Sequence, residues 1–399
     1  MESQEDKISS LLSRNVEEVI EKDHLEAALR SGKKLRIKFG IDPTSPDLHL
    51  GHAVVLNKLK DFQDAGHKIV LIIGDFTARI GDPSGRSETR KTLGENEIKE
   101  NMKKYLSQAG KILNVKKAEV AHNSSWFAKE GIEQFVQLAM SGTFQQVLRR
   151  ADFKKRIDAG EDITFLELLY PLFQGYDSVK INADVEVGGT DQKFNLLMGR
   201  RVQRHFGMAE QDVMTFPLLE GVDGVKKMSK SFGNYIGLTE PAESMFGKIM
   251  SIPDALVEKY FLLCTPLSEN EIEGLKKELG PKNLKERLGF EIIKRYHDEK
   301  AAREAQENFE NIFSKKDLAD TELPIVKVPN EINLVDFVVL CFASCKIEKS
   351  KSEARRLIIQ KSLKIDGEVW DDPKVLFKPQ TEVVSIGRFH FRLAPKWSI

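Results

Sequence analysis

The sequence predicts an α/β fold in three parts, the first of which is built on a parallel β-sheet. Strand-like and helix-like segments alternate in residues 1–234, a helix-rich stretch follows at 235–325, and residues 331–399 carry their own helix and hairpin patterns. Of the 399 residues, 41% are hydrophobic and 31% are charged, the balance of a globular protein with sizeable cores. This composition excludes collagen-like, disulfide-rich and disordered chains.

The first strand–helix–strand unit predicts the parallel sheet. Residues 35–41 predict a strand with polar interruptions, and residues 67–73 predict a buried strand. Between them, Val55 and Leu59 belong to an apolar helix face, and Gly66 suits the end of that helix. Two strands joined through a helix run parallel with a right-handed crossover, so the unit indicates a Rossmann-like domain.

The elements that follow are predicted in the same way. Residues 185–191 predict a strand that runs into a loop, and residues 192–206 predict a helix. Residues 95–180 are mostly helical in pattern and predict an insertion in the sheet. Residues 239–314, rich in Glu, Lys, Leu and Ile, predict a helical bundle, and the prolines in 324–329 indicate a linker.

Charge and apolar patterning indicate the compartment. The chain has 61 Lys and Arg against 61 Asp and Glu, so the whole chain has no net attraction to nucleic acid. The clearest apolar run, residues 69–73, is much shorter than the ~20 residues that span a bilayer. The polar start lacks the order of a secretory signal, and the three cysteines lack zinc spacing. We therefore expect a cytoplasmic protein with no membrane contact and no protein-bound metal.

A first motif lies where the first strand gives way to its helix. It runs Asp-Pro-Thr-Ser-Pro-Asp-Leu-His-Leu-Gly-His from Asp42 to His52. Ligands bind at the carboxyl ends of parallel strands, and a helix N-terminus favours phosphate. His49 and His52 can donate hydrogen bonds to phosphate oxygens, and Gly51 leaves room for a flat base. Taken alone, the motif is also compatible with a proline-rich turn that carries two surface histidines.

A second motif, Lys-Lys-Met-Ser-Lys-Ser at residues 226–231, lies between Gly221 and Gly233. The flanking glycines indicate a hinged loop, and Lys227 and Lys230 suit a lid over a polyphosphate. Taken alone, the segment is also typical of a solvated basic loop.

A third motif is a polar face on a predicted apolar helix. Tyr170, Gln174 and Asp177 follow one another in steps of four and three residues, which places them on one helix face. Since the surrounding residues are apolar, the face predicts a lined pocket. A helix that turns its polar face to water is the alternative.

In this order and on a parallel sheet, the motifs around His49 and Lys227 resemble the paired nucleotide-binding signatures of class I aminoacyl-tRNA synthetases. The helix of Tyr170, Gln174 and Asp177 resembles the tyrosine-binding helix of bacterial tyrosyl-tRNA synthetases, and the resemblance covers almost the whole chain. It implies that Tyr170 and Gln174 hold the ammonium of tyrosine and that Asp177 holds its phenol.

The resemblance implies three further sets of residues. The implied catalytic group is Thr44, His49, His52, Lys227 and Lys230. The implied ATP-binding residues are Asp42, Gly51, Gly189, Asp191, Met228, Ser229 and Lys230. The remaining implied tyrosine-binding residues are Lys38, Gly40, Asp42, Thr77, Asp82, Asn123 and Gln192. Lys38 occupies a position where many bacterial members have a tyrosine, and Lys193-Phe194 replaces a common Trp-Gly pair, so the chain resembles a second bacterial subtype.

The last part of the chain carries a basic segment. Ser350 and Glu353 can form a capping box for a helix over 353–359, and Asp366-Gly367 predicts a tight hairpin turn. The segment resembles the small ribosomal-protein-type RNA-binding domain that ends bacterial tyrosyl-tRNA synthetases; a solvated helix face is the alternative. The candidate RNA-binding residues are Lys346, Lys349, Lys351, Arg355, Arg356, Lys361 and Lys364.

The resemblance implies a complete two-step activity. Tyrosine reacts with ATP, whose phosphates carry Mg2+, to give tyrosyl-adenylate and pyrophosphate, and the tyrosyl group then passes to tRNA(Tyr). The family works as a homodimer, for which the apolar side chains of Phe144, Val147, Leu148 and Phe165 are the candidate interface. Three rival functions remain: a tryptophanyl-tRNA synthetase, a nucleotidyltransferase that makes a metabolite, and a catalytically silent RNA-binding relative.

Overall fold

A computed structural model describes residues 3–84, 94–314, 324–329, 331–345, 347, 349–378, 383–387 and 389–394. The chain forms two compact units, Met1–Phe313 and Ser314–Ile399. Within the described ranges, no helix is both long enough and apolar enough to cross a membrane.

The first unit is built on a six-stranded sheet. Its strands are β1 (Glu18–Ile20), β2 (Arg36–Ile41), β3 (Lys68–Ile73), β4 (Glu119–His122), β5 (Val185–Gly189) and β6 (Asp212–Phe216). Their order is β1-β6-β5-β2-β3-β4, and all neighbours run parallel except β1 and β6. The predicted α/β class is therefore confirmed. The chain leaves β2 to one side for β3 and later returns to its other side with β5, which creates a crevice at their carboxyl ends.

The described part of this unit has fifteen α-helices, some of which pack against the two faces of the sheet. They are α1 (Gln4–Ser13), α2 (Lys22–Arg30), α3 (Leu50–Asp64), α4 (Glu95–Ala109), α5 (Ser124–Phe127), α6 (Ile132–Met140), α7 (Phe144–Leu148), α8 (Ala151–Asp158), α9 (Phe165–Ile181), α10 (Lys193–His205), α11 (Ala242–Ser251), α12 (Val257–Cys264), α13 (Glu269–Glu278), α14 (Pro281–Tyr296) and α15 (Glu299–Ser314). Helix α3 ends near Gly66 as predicted, and the positive φ of 88° at Gly66 explains why glycine suits that position. Helices α11 to α15 form the predicted helix-rich region.

Strand alternation decides which helices touch which face. Ile69 and Leu71 of β3 point into the core that includes α3, whereas Val70 and Ile72 point into the core that includes α9. Lys38 of β2 is the register partner of Val70 and therefore points toward α9 as well. This geometry brings α9, with its polar face, over the middle of the sheet.

Several strands were not predicted from the sequence, among them β1, β6 and two short edge strands. The 95–180 region is mostly helical, as predicted, but it also supplies β4, the edge strand of the sheet. None of the four β4 residues is fully buried, so the segment lacks the apolar signal of a strand. The stretch 324–329, predicted to be a linker, contains β7 (Ile325–Lys327), in which the side chain of Val326 alone of the three is buried. Such short edge strands leave little pattern to detect.

The second unit has its own core and two small sheets. Its further strands are β8 (Ile332–Asn333), β9 (Leu363–Ile365), β10 (Glu368–Val369), β11 (Leu376–Phe377), β12 (Val383–Ile386) and β13 (Phe389–Ala394), and its helices are α16 (Leu334–Ser344) and α17 (Lys351–Ile359). One sheet has the order β10-β9-β12-β13-β7, and β8 pairs with β11. The predicted capping box of Ser350 and Glu353 and the hairpin at Asp366-Gly367 are both present.

Candidate active site

A cleft of about 590 Å³ opens at the carboxyl ends of β2 and β5. It collects side chains from the loop before α3, from α9, from the turn after β5 and from the basic loop. The predicted site residues that line it are Gly40, Asp42, Thr44, His49, Gly51, His52, Thr77, Asp82, Tyr170, Gln174, Asp177, Gly189, Asp191, Gln192, Lys227, Met228, Ser229 and Lys230. The structure thus brings both nucleotide motifs and the α9 face into one cavity.

Two histidines whose rings lie in close, tilted contact form one wall of the cleft. The rings of His49 and His52 lie 3.9 Å apart, and the backbone N–H of His49 donates to Nδ1 of His52 at 3.3 Å. Because Nδ1 accepts, the ring proton of His52 is on Nε2, which leaves an N–H donor. Burial lowers the pKa of His52 to about 4 and lowers that of His49 well below its usual range. Both rings are therefore neutral hydrogen-bond donors at neutral pH. Nδ1 of His49 is buried without a protein partner among the described residues.

The start of α3 is tied to the segment that follows the basic loop. The N–H of Leu50 donates to the carbonyl of Ile236 at 3.0 Å, and the N–H of Leu238 donates to the carbonyl of Leu48 at 2.9 Å. A side chain at Gly51 would approach the His49 ring within 3.1 Å, so a larger residue would disturb the pair of histidine rings. These contacts join the histidine motif to the segment directly after the basic loop.

The two loop lysines face the cleft from the opposite side. Lys227 Nζ donates to Asp191 Oδ2 at 2.6 Å, and Lys230 Nζ donates to Asp47 Oδ2 at 2.8 Å. Met228, between them, is buried, and its N–H donates to the carbonyl of Leu219 at 2.7 Å. The loop therefore places two ammonium groups at the cleft, each paired with a carboxylate that an anionic ligand can displace.

The amino-acid side of the cleft carries two groups of hydrogen-bonded side chains, in which Tyr170 and Thr77 are buried and the other members are partly buried. The hydroxyl of Tyr170 donates to Asp42 Oδ2 at 2.9 Å, and the hydroxyl of Thr77 donates to Asp42 Oδ1 at 2.7 Å. Gln192 Nε2 donates to Asp82 Oδ2 at 2.7 Å. The carboxylates of Asp42 and Asp82 and the phenol oxygen of Tyr170 therefore line a place where an ammonium group can bind.

Asp177 closes the far end of this pocket. Trp126 Nε1 donates to Asp177 Oδ1 at 3.0 Å, and Asn123 Nδ2 lies 3.4 Å from Oδ2. Burial raises the pKa of Asp177 to about 7, although the nearby Lys38 ammonium and the two donors act in the opposite direction. A neutral hydroxyl donor that enters the pocket finds a carboxylate acceptor held in place by two other side chains.

Two predicted tyrosine-binding residues do not line the cleft. Lys38 is fully buried, and its ammonium group donates to the carbonyl of Gln174 at 2.7 Å and to the hydroxyl of Ser178 at 2.8 Å. Gly40 reaches the cleft, whereas Lys38 lies two residues earlier on the same strand face, beneath the pocket floor. Asn123 is also fully buried and donates to Thr77 Oγ1 at 3.0 Å, so it contacts the site from behind.

Sequence reasoning missed several residues that shape the site. Glu186 on β5 is 1% exposed and bonds to Lys38, and Asn195 joins Asp82 to Gln192. Lys38 and Glu186 each lie between two apolar residues of a strand, and this was the sequence signal that could have indicated their pairing. Gly74 was also missed: a side chain there would meet Asp42 Oδ1 at 2.0 Å, so only glycine fits beside the carboxylate.

The predicted interface residues differ in exposure. Phe144 and Phe165 are 58% and 84% exposed, whereas Val147 is buried in the core that includes α9. Ile132 and Met140 on α6 are exposed as well, at 77% and 64%. A second cavity of about 360 Å³ lies between Phe76, Phe135 and their neighbours. The insertion thus presents an apolar surface on α6, α7 and the start of α9.

The basic residues of the second unit lie on or near α17. Lys351, Arg355, Arg356, Lys361 and Lys364 are exposed. Lys349 bonds to Glu353 at 2.9 Å, and Lys351 bonds to Asp336 at 2.7 Å. Lys346 lies outside the described residues. Within the described ranges, no group of three or more His, Cys, Asp or Glu side chains is arranged to hold a metal ion.

Comparisons with known proteins identify the family of the chain. The family model of "tRNA synthetases class I (W and Y)" matches residues 30–314. The chain is 48% identical over 387 residues to a tyrosine–tRNA ligase of Thermotoga maritima, which covers 96% of this chain and 95% of the relative. It is 46% identical over 383 residues to a tyrosine–tRNA ligase of Aquifex aeolicus, with 96% of both chains covered.

Solved structures show the same fold. A C-terminally truncated mitochondrial tyrosyl-tRNA synthetase of Aspergillus nidulans superposes with a TM-score of 0.65 at 22% identity, over 78% of this chain and 95% of that one. The tyrosyl-tRNA synthetase of Archaeoglobus fulgidus, solved with L-tyrosine, gives a TM-score of 0.61 at 22% identity, over 76% and 100%. The match to a second bacterial subtype stays a prediction. On the near-full-length sequence similarity, the chain belongs to the tyrosyl-tRNA synthetase family of class I aminoacyl-tRNA synthetases.

Proposed function

We propose that this chain activates L-tyrosine with ATP and transfers the tyrosyl group to tRNA(Tyr). One observation carries the proposal: a single cleft joins a wall of neutral histidines and paired lysines to a pocket that ends at Asp177. The histidines and lysines suit a triphosphate, and the pocket that ends at Asp177 suits an amino acid with a terminal hydroxyl group. Membership of the family supports the same reaction.

In the first step, the tyrosine carboxylate attacks the α-phosphate of ATP. A bond forms between a carboxylate oxygen and phosphorus, the bond from that phosphorus to the β-phosphate oxygen breaks, and pyrophosphate leaves. The carboxylate is already a nucleophile, so the protein's task is to align two anions and to stabilise the charge on the phosphate.

The two walls divide that task. Lys227 and Lys230 exchange their carboxylate partners for the β- and γ-phosphates, and His49, His52 and Thr44 act from the opposite wall. Gly51, Gly189, Asp191, Met228 and Ser229 form the remaining ATP contacts. Because these contacts strengthen as charge develops, they act mainly on the rate of the step.

The pocket recognises tyrosine by its two polar ends. The ammonium group binds among Tyr170, Gln174, Asp42, Asp82 and Gln192, with Thr77 holding Asp42. The phenol donates to Asp177, which Asn123 and Trp126 hold in place. Phenylalanine would leave the Asp177 carboxylate buried without its partner, and such unpaired polar groups are strongly disfavoured.

In the second step, a hydroxyl of the terminal ribose of tRNA attacks the carbonyl of the adenylate, and AMP leaves. The division of labour follows the three predicted parts: catalysis in 1–234, anticodon-side tRNA contacts in 235–325 and backbone contacts in 331–399. The exposed Lys351, Arg355, Arg356, Lys361 and Lys364, together with Lys349 and Lys346, form the candidate RNA surface.

Three further assignments accompany this function. Mg2+ enters on the ATP phosphate oxygens and neutralises their charge, since this ion commonly binds through substrate phosphates. The exposed apolar surface of α6, α7 and the start of α9, which includes Phe144 and Phe165, is proposed to pair in a homodimer. Translation takes place in the cytoplasm, which is the proposed location.

Exchange of labelled pyrophosphate into ATP tests the first step directly. We expect exchange that depends on tyrosine, with tryptophan and phenylalanine far less active, followed by aminoacylation of tRNA(Tyr). Exchange that depends on tryptophan would indicate a tryptophanyl-tRNA synthetase instead. Absence of exchange with every amino acid would favour the catalytically silent relative.

A further inference from the structure

Two oppositely charged side chains lie side by side in the middle of the sheet. Lys38 on β2 and Glu186 on β5 are register partners in neighbouring parallel strands. Lys38 Nζ lies 2.9 Å from Glu186 Oε1, and the two side chains are 0% and 1% exposed. The pair lies behind the cleft rather than on its wall.

The pair binds one turn of α9. Lys38 Nζ donates to the carbonyl of Gln174 at 2.7 Å and to the hydroxyl of Ser178 at 2.8 Å. Glu186 accepts from Gln174 Nε2 at 3.1 Å and from Ser178 Oγ at 3.2 Å. Asp177 lies between Gln174 and Ser178 in the same turn, so both predicted recognition residues stand on a segment that the ion pair holds.

Stability alone does not account for such a pair. Well-packed apolar residues of similar volume in place of a buried ion pair often leave stability unchanged or improve it. The contacts of this pair are instead concentrated on the turn that carries the side chains for the two polar ends of the substrate. A fully satisfied polar network also rigidifies the segment that it binds.

We propose that the buried Lys38–Glu186 pair is the positioning element of the amino-acid pocket: it fixes the Gln174–Ser178 turn of α9 and holds Asp177 in its anionic form, so that Asp177 accepts a hydrogen bond from the substrate phenol. The inference rests on the proposed function, because it assigns a role within tyrosine recognition. Lys38 and Glu186 act through Gln174 and Asp177 and do not touch the substrate.

Lys38 and Glu186 have opposite effects on the ionisation of Asp177. Lys38 from β2 favours the anion of Asp177, and Glu186 from β5 disfavours it. Tyr170 on α9 and the carboxylates Asp42 and Asp82 face the same pocket. Burial raises the pKa of Asp177 to about 7, so modest changes in nearby charge decide whether it is ionised at neutral pH.

The test measures kcat/KM for tyrosine in pyrophosphate exchange from pH 6 to pH 9 in two variants. In Lys38→Met, the acid limb of the profile moves to higher pH by about one unit, because a cation close to Asp177 is lost. In Glu186→Gln, the limb moves to lower pH.

The level of activity provides a second readout. Loss of the Lys38 contacts to the α9 turn lowers kcat/KM for tyrosine by about 100-fold even at the high-pH plateau, since small misplacements at a site have effects of this size. The KM for ATP stays near the parent value. Lys58→Met is the matched control: Lys58 is also a buried lysine that donates to backbone carbonyls, those of Ser10 and Leu11, but it does not line the cleft.

Opposite shifts of the acid limb in the two variants support the inference, since a merely structural role would lower activity without moving the limb in opposite directions. Shifts in the same direction, or a parent profile in both, overturn it. If Lys38→Met does not fold, the direction of the Glu186→Gln shift decides. Failure of the proposed function is distinct, because the parent protein would then show no tyrosine-dependent exchange at all.

Discussion

The two ends of the cleft hold their charges in different ways. At the nucleotide end, Lys227 and Lys230 form pairs with Asp191 and Asp47 whose side chains are 22–38% exposed. At the amino-acid end, Asp177 is 3% exposed, and the Lys38–Glu186 pair beneath it is shut off from solvent. One end carries exchangeable ion pairs, whereas the other carries a permanently buried network.

This difference suits the two ligands. A triphosphate brings several negative charges that can displace the carboxylate partners, and water and counterions screen the exchange. Tyrosine presents only a neutral hydroxyl to Asp177, so recognition there depends on a fixed geometry in a low-dielectric site. Substitutions at the nucleotide end should therefore change rate, and substitutions at the amino-acid end should change specificity.

The largest expected effect is at the nucleotide end. In Lys230→Met, the rate of adenylate formation should fall by about 100- to 1000-fold, because one preorganised contact to the charge of the transition state is lost. The KM for tyrosine should change little. Rapid-quench measurement of adenylate formation checks both values. Lys193→Met is the control, since Lys193 forms a similarly exposed pair with Glu18 and does not line the cleft. A raised KM for tyrosine with an unchanged rate would contradict the division between the two ends.

The next effect is one of specificity. In Asp177→Ala, the preference for tyrosine over phenylalanine should fall by about 5- to 150-fold, which corresponds to about 1–3 kcal/mol for an unpaired buried polar group. The KM for ATP should stay near its parent value. Competition between the two amino acids in pyrophosphate exchange gives the ratio. Asp184→Ala, at the opposite end of β5, should leave the ratio unchanged, and a parent-like ratio in Asp177→Ala would refute the assignment.

A pH titration of the parent protein separates the two ends without any substitution. Asp177, with its pKa raised to about 7, is anionic above that pH and protonated below it, so kcat/KM for tyrosine should fall by about tenfold per pH unit on the acid side. His52, with its pKa lowered to about 4, stays neutral throughout this window. The KM for ATP should therefore vary much less than the tyrosine parameter between pH 8 and pH 6. If the KM for ATP and kcat/KM for tyrosine changed equally between pH 8 and pH 6, the two ends of the cleft would not differ in the way described.

The smallest effect concerns the exchangeable pairs. In Asp47→Asn, Lys230 loses its carboxylate partner, and the KM for ATP should fall by no more than about fivefold, because such solvent-exposed ion pairs contribute only about 0–1 kcal/mol. The effect should shrink further as salt is added. Steady-state kinetics at two ionic strengths measure it. An increase in the KM for ATP would mean that Asp47 helps to bind the nucleotide and does not merely hold the basic loop in the absence of ATP.

Local sequence patterns were enough to predict the α/β class and to indicate three segments of the cleft, whereas most of the other residues that line it were implied only by the family resemblance. The histidine motif, the lysine loop and the α9 face are each short segments whose residue types and spacing carry the signal. Because β2 and β5 are parallel neighbours, their carboxyl ends meet at one edge of the sheet. The sequence pattern predicted a parallel sheet, but the adjacency of β2 and β5 comes from the strand order of the structure.

Contacts between distant segments could not be predicted in the same way. Trp126 and Asp177 are 51 residues apart in sequence, and Asp47 and Lys230 are 183 apart. The pairing of Lys38 with Glu186 depends on the register of two strands, which the sequence does not specify residue by residue. The short edge strands β4 and β7 were missed because few of their residues are buried, which leaves no apolar alternation in the sequence.

Direct detection of tyrosyl-adenylate tests the central claim most directly. The parent protein is mixed with tyrosine and ATP labelled at the α-phosphate, and the acid-quenched products are separated. We predict a rapid burst of tyrosyl-adenylate, at most one per chain, with matching release of pyrophosphate. Labelled ATP that remains unchanged, or a burst that requires tryptophan instead of tyrosine, would contradict the account.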